Sequence, residues 1–299
     1  MSGNLSDSTY PQKSGHKITV CFNGGLGNQL FQLAGGLAIA QNLHRDVIFS
    51  NFEISQAMLN TRRKFAIDEL LEAGELSESY EKFSKKNLFG GFFRKDLIIY
   101  EQDPNDNVLT RIRPNTQKVF AYFQDISIVS LVKEQLLRRF SQSQVFSRCL
   151  ISERLEEIGI HVRLGDYRTS QLTKKYHGLT SNSFFTEGAK LLRSELGLSS
   201  VTLFSDEPQL LGAIEEDLND AGFHVKYYYS SSDKEDLIHL SRHKGLVISN
   251  SSYSWWAAWI ATTVGSSTVV APIPWYSSVS TPSIKLLGEK WIALERKFE

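Results

Sequence analysis

The sequence predicts an α/β protein built as two Rossmann-like domains that face each other across a cleft. Three observations carry that reading. Strand-like and helix-like segments alternate strictly through the second half; a strand, a glycine-rich turn and a helix open the folded part; and 299 residues leave room for two cores at about 100–200 residues each. The expected division is a flexible tail over 1–16, an N-terminal α/β domain over 17–145 and a C-terminal α/β domain over 146–299, with the break around Ser141–Ser152.

The tail, MSGNLSDSTYPQKSGH, is polar and rich in Gly and Ser, with neither the apolar core of a secretory signal nor an Arg-rich amphipathic pattern. Lys17–Phe22 then reads as a strand, Asn23–Gly27 as a tight turn and Asn28–Leu43 as a helix whose Leu30, Leu33, Ala34, Leu37 and Ala38 share one face. Val47–Phe49 is a short strand. From Asn51 to Thr116 short apolar runs mix with charged loops, and the pattern assigns no order of elements. Lys118–Phe123 reads as a strand, followed by a helix over Ser127–Phe140.

In the second half, strands at Ile158–Arg163, Val201–Ser205, Phe223–Tyr229, Gly245–Ser249 and Thr268–Ala271 alternate with helices at Ser183–Leu196, Pro208–Asn219, Lys234–Arg242 and Tyr253–Thr262. Such alternation predicts a parallel sheet wrapped by helices. Pro208 at a helix start and Gly265 just past a helix end fit the asymmetry of helix termini. Ligands of such sheets collect beyond the carboxyl ends of the strands.

Composition narrows the function classes. Lys plus Arg and Asp plus Glu both number 33, so no overall field draws the chain to nucleic acid, and an anionic ligand must be held by a local site. Two cysteines far apart, Cys21 and Cys149, argue against a disulfide scaffold and a structural zinc site. The uncharged stretch between Lys244 and Lys285 is interrupted by Ser, Thr, Asn, Gly and three prolines. A spanning helix needs about 20 predominantly apolar residues, so a buried strand–helix–strand passage accounts for it better.

Four strand ends carry candidate chemistry. Gly24-Gly25-Leu26-Gly27-Asn28-Gln29 places glycines where a helix start can approach phosphate; the plainer reading is a tight turn. In His161-Val162-Arg163-Leu164-Gly165-Asp166-Tyr167, alternation puts His161 and Arg163 on one face, and the arginine fork suits a diphosphate; an Arg163–Asp166 ion pair pinning a loop is the alternative. Asp206, in Phe204-Ser205-Asp206-Glu207-Pro208, can accept from a guanine edge or a ribose, or cap a helix. Ser249-Asn250-Ser251-Ser252-Tyr253-Ser254-Trp255-Trp256 crowds hydroxyls into a helix start, which serves a phosphate or merely a well-capped core helix. No two aspartates stand two apart, so no D-x-D pair is present to hold a cation on a diphosphate, and no metal is expected.

The segments GGLGNQLFQLAGGLAIA, HVRLGDY, FSDEP, DLIHLSRHKGLVISNSSYSWWAAWI and VVAPIPWY, in this order, resemble the alpha-1,2-fucosyltransferases of bacterial surface polysaccharide synthesis and their animal blood-group relatives. The resemblance spans Lys17 to Tyr276 and thins between Asn51 and Arg111. It implies a glycosyltransferase-B-like fold and inverting transfer of L-fucose from GDP-β-L-fucose to the 2-hydroxyl of a galactose-terminated oligosaccharide, with neither metal nor cofactor. The donor falls to the C-terminal domain and the acceptor to the N-terminal one. The absence of a signal or amino-terminal anchor suggests a cytoplasmic enzyme of bacterial type, with peripheral association to a membrane carrying lipid-linked glycan as a further expected partner. By the same resemblance His161 and Arg163 are donor-site residues, with Arg163 the main support of the departing phosphate. Asp206 contacts guanine, Ser251 and Ser252 form the turn beside the phosphates, Gly25 and Gly27 belong to the substrate site, and Asn28 faces the reacting centre. Asp166 is a candidate carboxylate near that centre, as a base or only to orient Arg163, the acceptor proton in the latter case leaving late to solvent.

Leu164 stands where the resembling sequences carry a second arginine. Either that arginine is dispensable, as strand alternation favours, or Arg168 reaches back to replace it. A fucosyltransferase with another acceptor or linkage and a non-catalytic nucleotide or sugar binder are the alternatives nearest this reading. A dinucleotide-dependent oxidoreductase, with Asp46 or Glu53 on the ribose, is the rival from another enzyme class, but Leu30 takes the place of the last fingerprint glycine. A fluorescence titration with NAD is expected to show no binding, and saturable binding would revive that rival.

Overall fold

A computed structural model describes residues 17–51, 65–72, 80–81, 98–103, 106–277 and 283–297. The amino-terminal tail and much of the Asn51–Thr116 stretch lie outside the described residues. A first sheet holds β1 (Ile18–Cys21), β2 (Val47–Ser50), β3 (Tyr80–Glu81), β4 (Ile98–Tyr100) and β5 (Lys118–Phe120), in the spatial order β3-β2-β1-β5-β4. A second holds β6 (Leu155–Val162), β7 (Ser200–Ser205), β8 (His224–Tyr227), β9 (His243–Ile248), β10 (Thr268–Ile273) and β11 (Ile292–Glu295), ordered β11-β10-β9-β6-β7-β8. Every pairing is parallel. This is the two-layered α/β architecture that the sequence predicts.

Each sheet reverses its winding once. The chain leaves β1 toward β2 and β3 and returns on the other side as β4 and β5; it leaves β6 toward β7 and β8 and returns as β9 to β11. The crevices beyond the carboxyl ends of β1/β5 and β6/β9 are therefore the two topological switch points, where α/β sheets bind ligands.

Two helices join the layers. Leu26–Leu43 is buried from Leu26 to Ile39 except at Asn28, and Ser252–Gly265 is buried from Ser254 to Ala261. The single apolar face expected for the first helix is thus a helix enclosed on all sides, with a sheet behind it and the other helix in front. They meet at Gly27, where a β-carbon would lie 2.4 Å from the Ser252 carbonyl carbon. One turn on, the Phe31 ring sits 4.6 Å from Trp255 and 5.1 Å from Trp256. One apolar cluster consequently runs from Ile18, Val20 and Phe49 through both helices to Ile248 and Ala271. The opposite face of the second sheet packs a separate cluster, with Ile158, Ile160 and Val162 against Phe184, Phe185 and Leu192.

Several elements differ from expectation for local reasons. The helix over Ser127–Phe140 is two, Ile126–Leu131 and Lys133–Gln142, parted at Val132; Asp125 starts the first by accepting the Ser127 N–H at 2.8 Å. Pro208 opens a short 3₁₀ turn, and the α-helix begins only at Gly212. Gly265 belongs to its helix, and Ser266 takes the left-handed cap at φ 52°. Arg168–Thr180, expected as loop, lies largely within the helices Gly165–Thr169 and Gln171–His177. β11 escapes the pattern because it is short and alternates half-buried with exposed residues at a sheet edge. Around the expected break at Ser141–Ser152 the chain forms the turn of helix Arg148–Ile151, with Phe146 and Cys149 buried in the larger cluster.

The uncharged stretch after Lys244 is the end of β9, the Ser252–Gly265 helix and β10, and among the described residues no helix is long and apolar enough to cross a membrane. Gly27→Ala is expected to destabilise the protein by about 1–3 kcal/mol, the usual cost of overpacking. Thermal melts of the variant check this, and an unchanged midpoint would show that the helices separate freely.

Candidate active site

A cleft of about 770 Å³ opens between the two sheets at their carboxyl ends. Arg163, Asp166, Asn28, Gly25, Gly27, His161, Asp206, Ser251 and Ser252 all line it. The residues singled out in the sequence thus come from four separate strand ends to one space.

On the wall formed by the second sheet, β6 delivers His161 and Arg163 to the same side. His161 is buried, with Nδ1 3.2 Å from Ser249 Oγ and its ring 5.2 Å from Tyr253. Burial, helped by the Arg163 charge and opposed by Asp206, pushes its pKa down to about 4, so the imidazole is neutral near pH 7. The Arg163 guanidinium is gripped from two sides: Nη2 donates to Asp166 Oδ1 at 2.5 Å, and Nη1 lies 2.7 Å from Asp206 Oδ2. Burial works against its charge, but Asp206 and Asp166 outweigh it and hold its pKa above the ordinary value. The ion pair read from sequence as an alternative therefore exists, and it presents the arginine to the cleft.

Asp206 also accepts the Leu164 N–H at 3.0 Å, so it fastens the loop after β6 to the end of β7; it does not cap the turn that follows it. Gly165 makes room for this contact, since a β-carbon there would stand 2.3 Å from Asp206 Oδ2. Leu164 turns away and packs against the apolar cluster of the far face. Arg168 faces Glu207 at 3.4 Å and does not line the cleft, so it does not replace the second arginine.

Beyond β9, Ser251 caps the Ser252–Gly265 helix, its Oγ accepting the Tyr253 N–H at 3.3 Å. The helix start opens on the cleft, where its unpaired amide ends favour negative charge. Leu26–Leu43 also starts there, after Gly24 at φ 79° and with Gly25 as its cap. Gly27 is spent on the approach to Ser252, which the sequence reading did not anticipate. Asn28 Oδ1 accepts from Gln124 Nε2 at 3.0 Å, and Gln124 Oε1 accepts from the Tyr276 hydroxyl at 2.6 Å, a chain that bridges the two halves.

Residues 5–295 match the family model for glycosyl transferase family 11. The protein belongs to that family. It is 25% identical to the O-antigen biosynthesis glycosyltransferase WbnK of Escherichia coli, over 92% of this chain and 99% of that protein. It is 22% identical to an alpha-1,2-colitosyltransferase of Escherichia coli, over 91% and 97% of the respective chains. Among solved structures it is similar to the fucosyltransferase NodZ from Bradyrhizobium, with a TM-score of 0.45 and 13% identity over 81% of this chain and 91% of that one.

In this family 11 glycosyltransferase the sequence reading missed the residues that hold the site. Gln29 and Gln32 are buried and anchor the glycine turn: Gln32 Oε1 accepts the Asn23 N–H at 2.9 Å, and Gln29 Nε2 donates to the Gly24 carbonyl at 3.0 Å. Asn250 ties the β9 end to the His177 and Trp275 carbonyls at 2.9 and 3.1 Å. An aromatic wall of Tyr167, Tyr176, His177 and Tyr276 is braced from behind by buried Arg296, which donates to the carbonyls of His177, Gly178, Pro274 and Trp275. Glu101, in the stretch without a readable pattern, also lines the cleft. Among the described residues no group of three or more His, Cys, Asp or Glu could hold a metal ion.

Burial pushes His161, His177 and His243 each down to about 4. Unfolded, each titrates near 6.5, so the unfolded chain binds more protons between those values and stability is lost as pH falls from 6.5 through 4. Melting temperatures measured from pH 7 to pH 4.5 are expected to fall steadily, and a flat profile would show that these rings are protonated in the fold.

Proposed function

We propose that this glycosyltransferase moves L-fucose from GDP-β-L-fucose, with inversion, onto the 2-hydroxyl of a terminal galactose in a surface glycan. The observation that carries the reading is Arg163, charged and fixed between Asp166 and Asp206 at a topological switch point, beside two helix starts and across a cleft from a second sheet. The 1,2 linkage draws support from the relative named as an alpha-1,2-colitosyltransferase, and the surface glycan from the one named for O-antigen biosynthesis. The donor assignment draws on the strand-end motifs that resemble fucosyltransferases. A colitose donor is the second reading, favoured by the same colitosyltransferase relative. The reaction runs without a resident cofactor or metal, in the cytoplasm, with peripheral contact to a membrane carrying the lipid-linked acceptor.

Chemically, the acceptor oxygen attacks the anomeric carbon from the side opposite GDP as that carbon gains oxocarbenium character. Charge builds on the leaving diphosphate, so donors fixed in advance at that place stabilise the transition state more than the ground state. Arg163 supplies a full charge, and the helix starts behind Ser252 and Gly25 supply oriented amides. Asp206 and Asp166 fix the arginine, while neutral His161 fills the space next to it without adding charge.

The test is GDP release from GDP-fucose in chelator-treated buffer, with and without lactose or N-acetyllactosamine, followed by linkage analysis. Acceptor-dependent release giving fucose on the galactose 2-hydroxyl is expected. Arg163→Ala is expected to lower kcat by at least about 10²-fold, the scale of one lost oxyanion donor. A variant that keeps most of its turnover would remove Arg163 from this role.

A further inference from the structure

A side chain that takes the acceptor proton must stand on the wall facing the departing GDP, because an inverting attack brings the hydroxyl in from the opposite side. Six carboxylates line the cleft: Glu101, Asp103, Asp166, Asp206, Asp233 and Asp236. Asp166 and Asp206 are engaged with Arg163 on the leaving-group wall. Asp233 and Asp236 sit in the first turn of the Asp233–Ser241 helix in the second half, where Asp236 Oδ1 accepts the Ser230 N–H at 2.9 Å. The first-sheet wall therefore offers Glu101 and Asp103.

Glu101 is the one that the fold aims. It follows β4 directly, and its Oε2 accepts the Tyr122 N–H at 2.7 Å, across from the end of β5. The next residue, Phe123, adopts a left-handed backbone at φ 55° while fully buried, a conformation that costs a non-glycine residue about 1–2 kcal/mol. Its ring is seated over Gly35, where a β-carbon would come within 2.3 Å, so core packing enforces the turn. That turn directs the Tyr122 and Phe123 amides at the carboxylate and then presents Gln124 to Asn28 and Tyr276. Strain held in place by packing at a cleft edge is characteristic of functional sites.

We propose that Glu101 is the general base of the transfer. The inference rests on the glycosyl transfer reading above. As the acceptor oxygen bonds to the anomeric carbon, the bond from that carbon to the diphosphate oxygen breaks and its electrons leave with GDP. The hydroxyl proton passes to a Glu101 oxygen and from there to solvent.

The electrostatics fit the role. Burial is the main influence and pushes the carboxyl up to about 7; Asp106 adds to the rise, while the Tyr122 and Phe123 amides and Lys285 oppose it. Asp106 is paired with Arg111, and Lys285 lies 3.8 Å from Asp125. The Tyr176 and Tyr276 phenols nearby stay neutral, their pKa values raised chiefly by burial. A base is most effective when its pKa lies near the working pH.

Glu101→Gln, Glu101→Asp and the wild type are to be compared by steady-state kinetics from pH 5.5 to 8.5, with GDP affinity measured by calorimetry. In the wild type kcat/KM is expected to fall about tenfold per unit below pH 7, as the base becomes protonated. Glu101→Gln should lose about 10²–10⁴-fold in kcat, keep its GDP affinity and show no acid limb, whereas Glu101→Asp should retain the limb at reduced rate. A Gln variant within about tenfold of wild type, one that keeps the acid limb, or one whose GDP affinity falls with its rate would overturn the assignment while leaving the transfer reading intact. A wild type that binds GDP yet transfers to no galactoside would overturn that reading, and this one with it.

Discussion

Where Gly27 meets Ser252, two helices touch backbone to backbone with no side chain between them. The rest of the site depends on that contact. It places the starts of both helices at one point, and each start carries a positive pole equivalent to about half an elementary charge. Because each helix follows the first switch strand of its sheet or the strand beside it, their meeting also turns the carboxyl ends of both sheets toward each other. The aromatic packing of Phe31 on Trp255 and Trp256 secures the junction one turn deeper, where no ligand reaches.

Arg163 shows a second economy of design. Two carboxylates around one guanidinium leave the trio with a net negative charge, which weakens long-range attraction for an anionic ligand. What they supply is orientation, since an unrestrained arginine loses about 2 kcal/mol of rotamer freedom when it is fixed. With Gly165 admitting Asp206 and Leu164 anchored in the far core, the arginine is set before any substrate arrives.

The second sheet was legible in the sequence because its central strands β6, β7, β9 and β10 are largely buried on both faces, so hydrophobic runs coincide with elements. The strand-end motifs stood out for the same reason: they are polar interruptions at regular places. Three features were not legible. A helix buried all round, such as Leu26–Leu43, carries no contrast between faces to read. Gln29, Gln32, Asn250 and Arg296 act through backbone groups distant in sequence, and a residue type alone does not disclose such partners. Glu101 depends on a turn 21 residues on, beyond the neighbouring strand, in a stretch where the elements are too short for periodicity to register.

Arg296 sets the order in which this enzyme can mature. The aromatic wall belongs to Tyr167, Tyr176, His177 and Tyr276, yet the group that grips the backbone behind it, at the carbonyls of His177, Gly178, Pro274 and Trp275, sits just after β11, 119 residues beyond His177. During translation the helix junction can form and the arginine cage can close before Arg296 is made, while that wall still lacks its brace. The wall is thus braced later in synthesis than the helix junction and the Arg163 cage are formed.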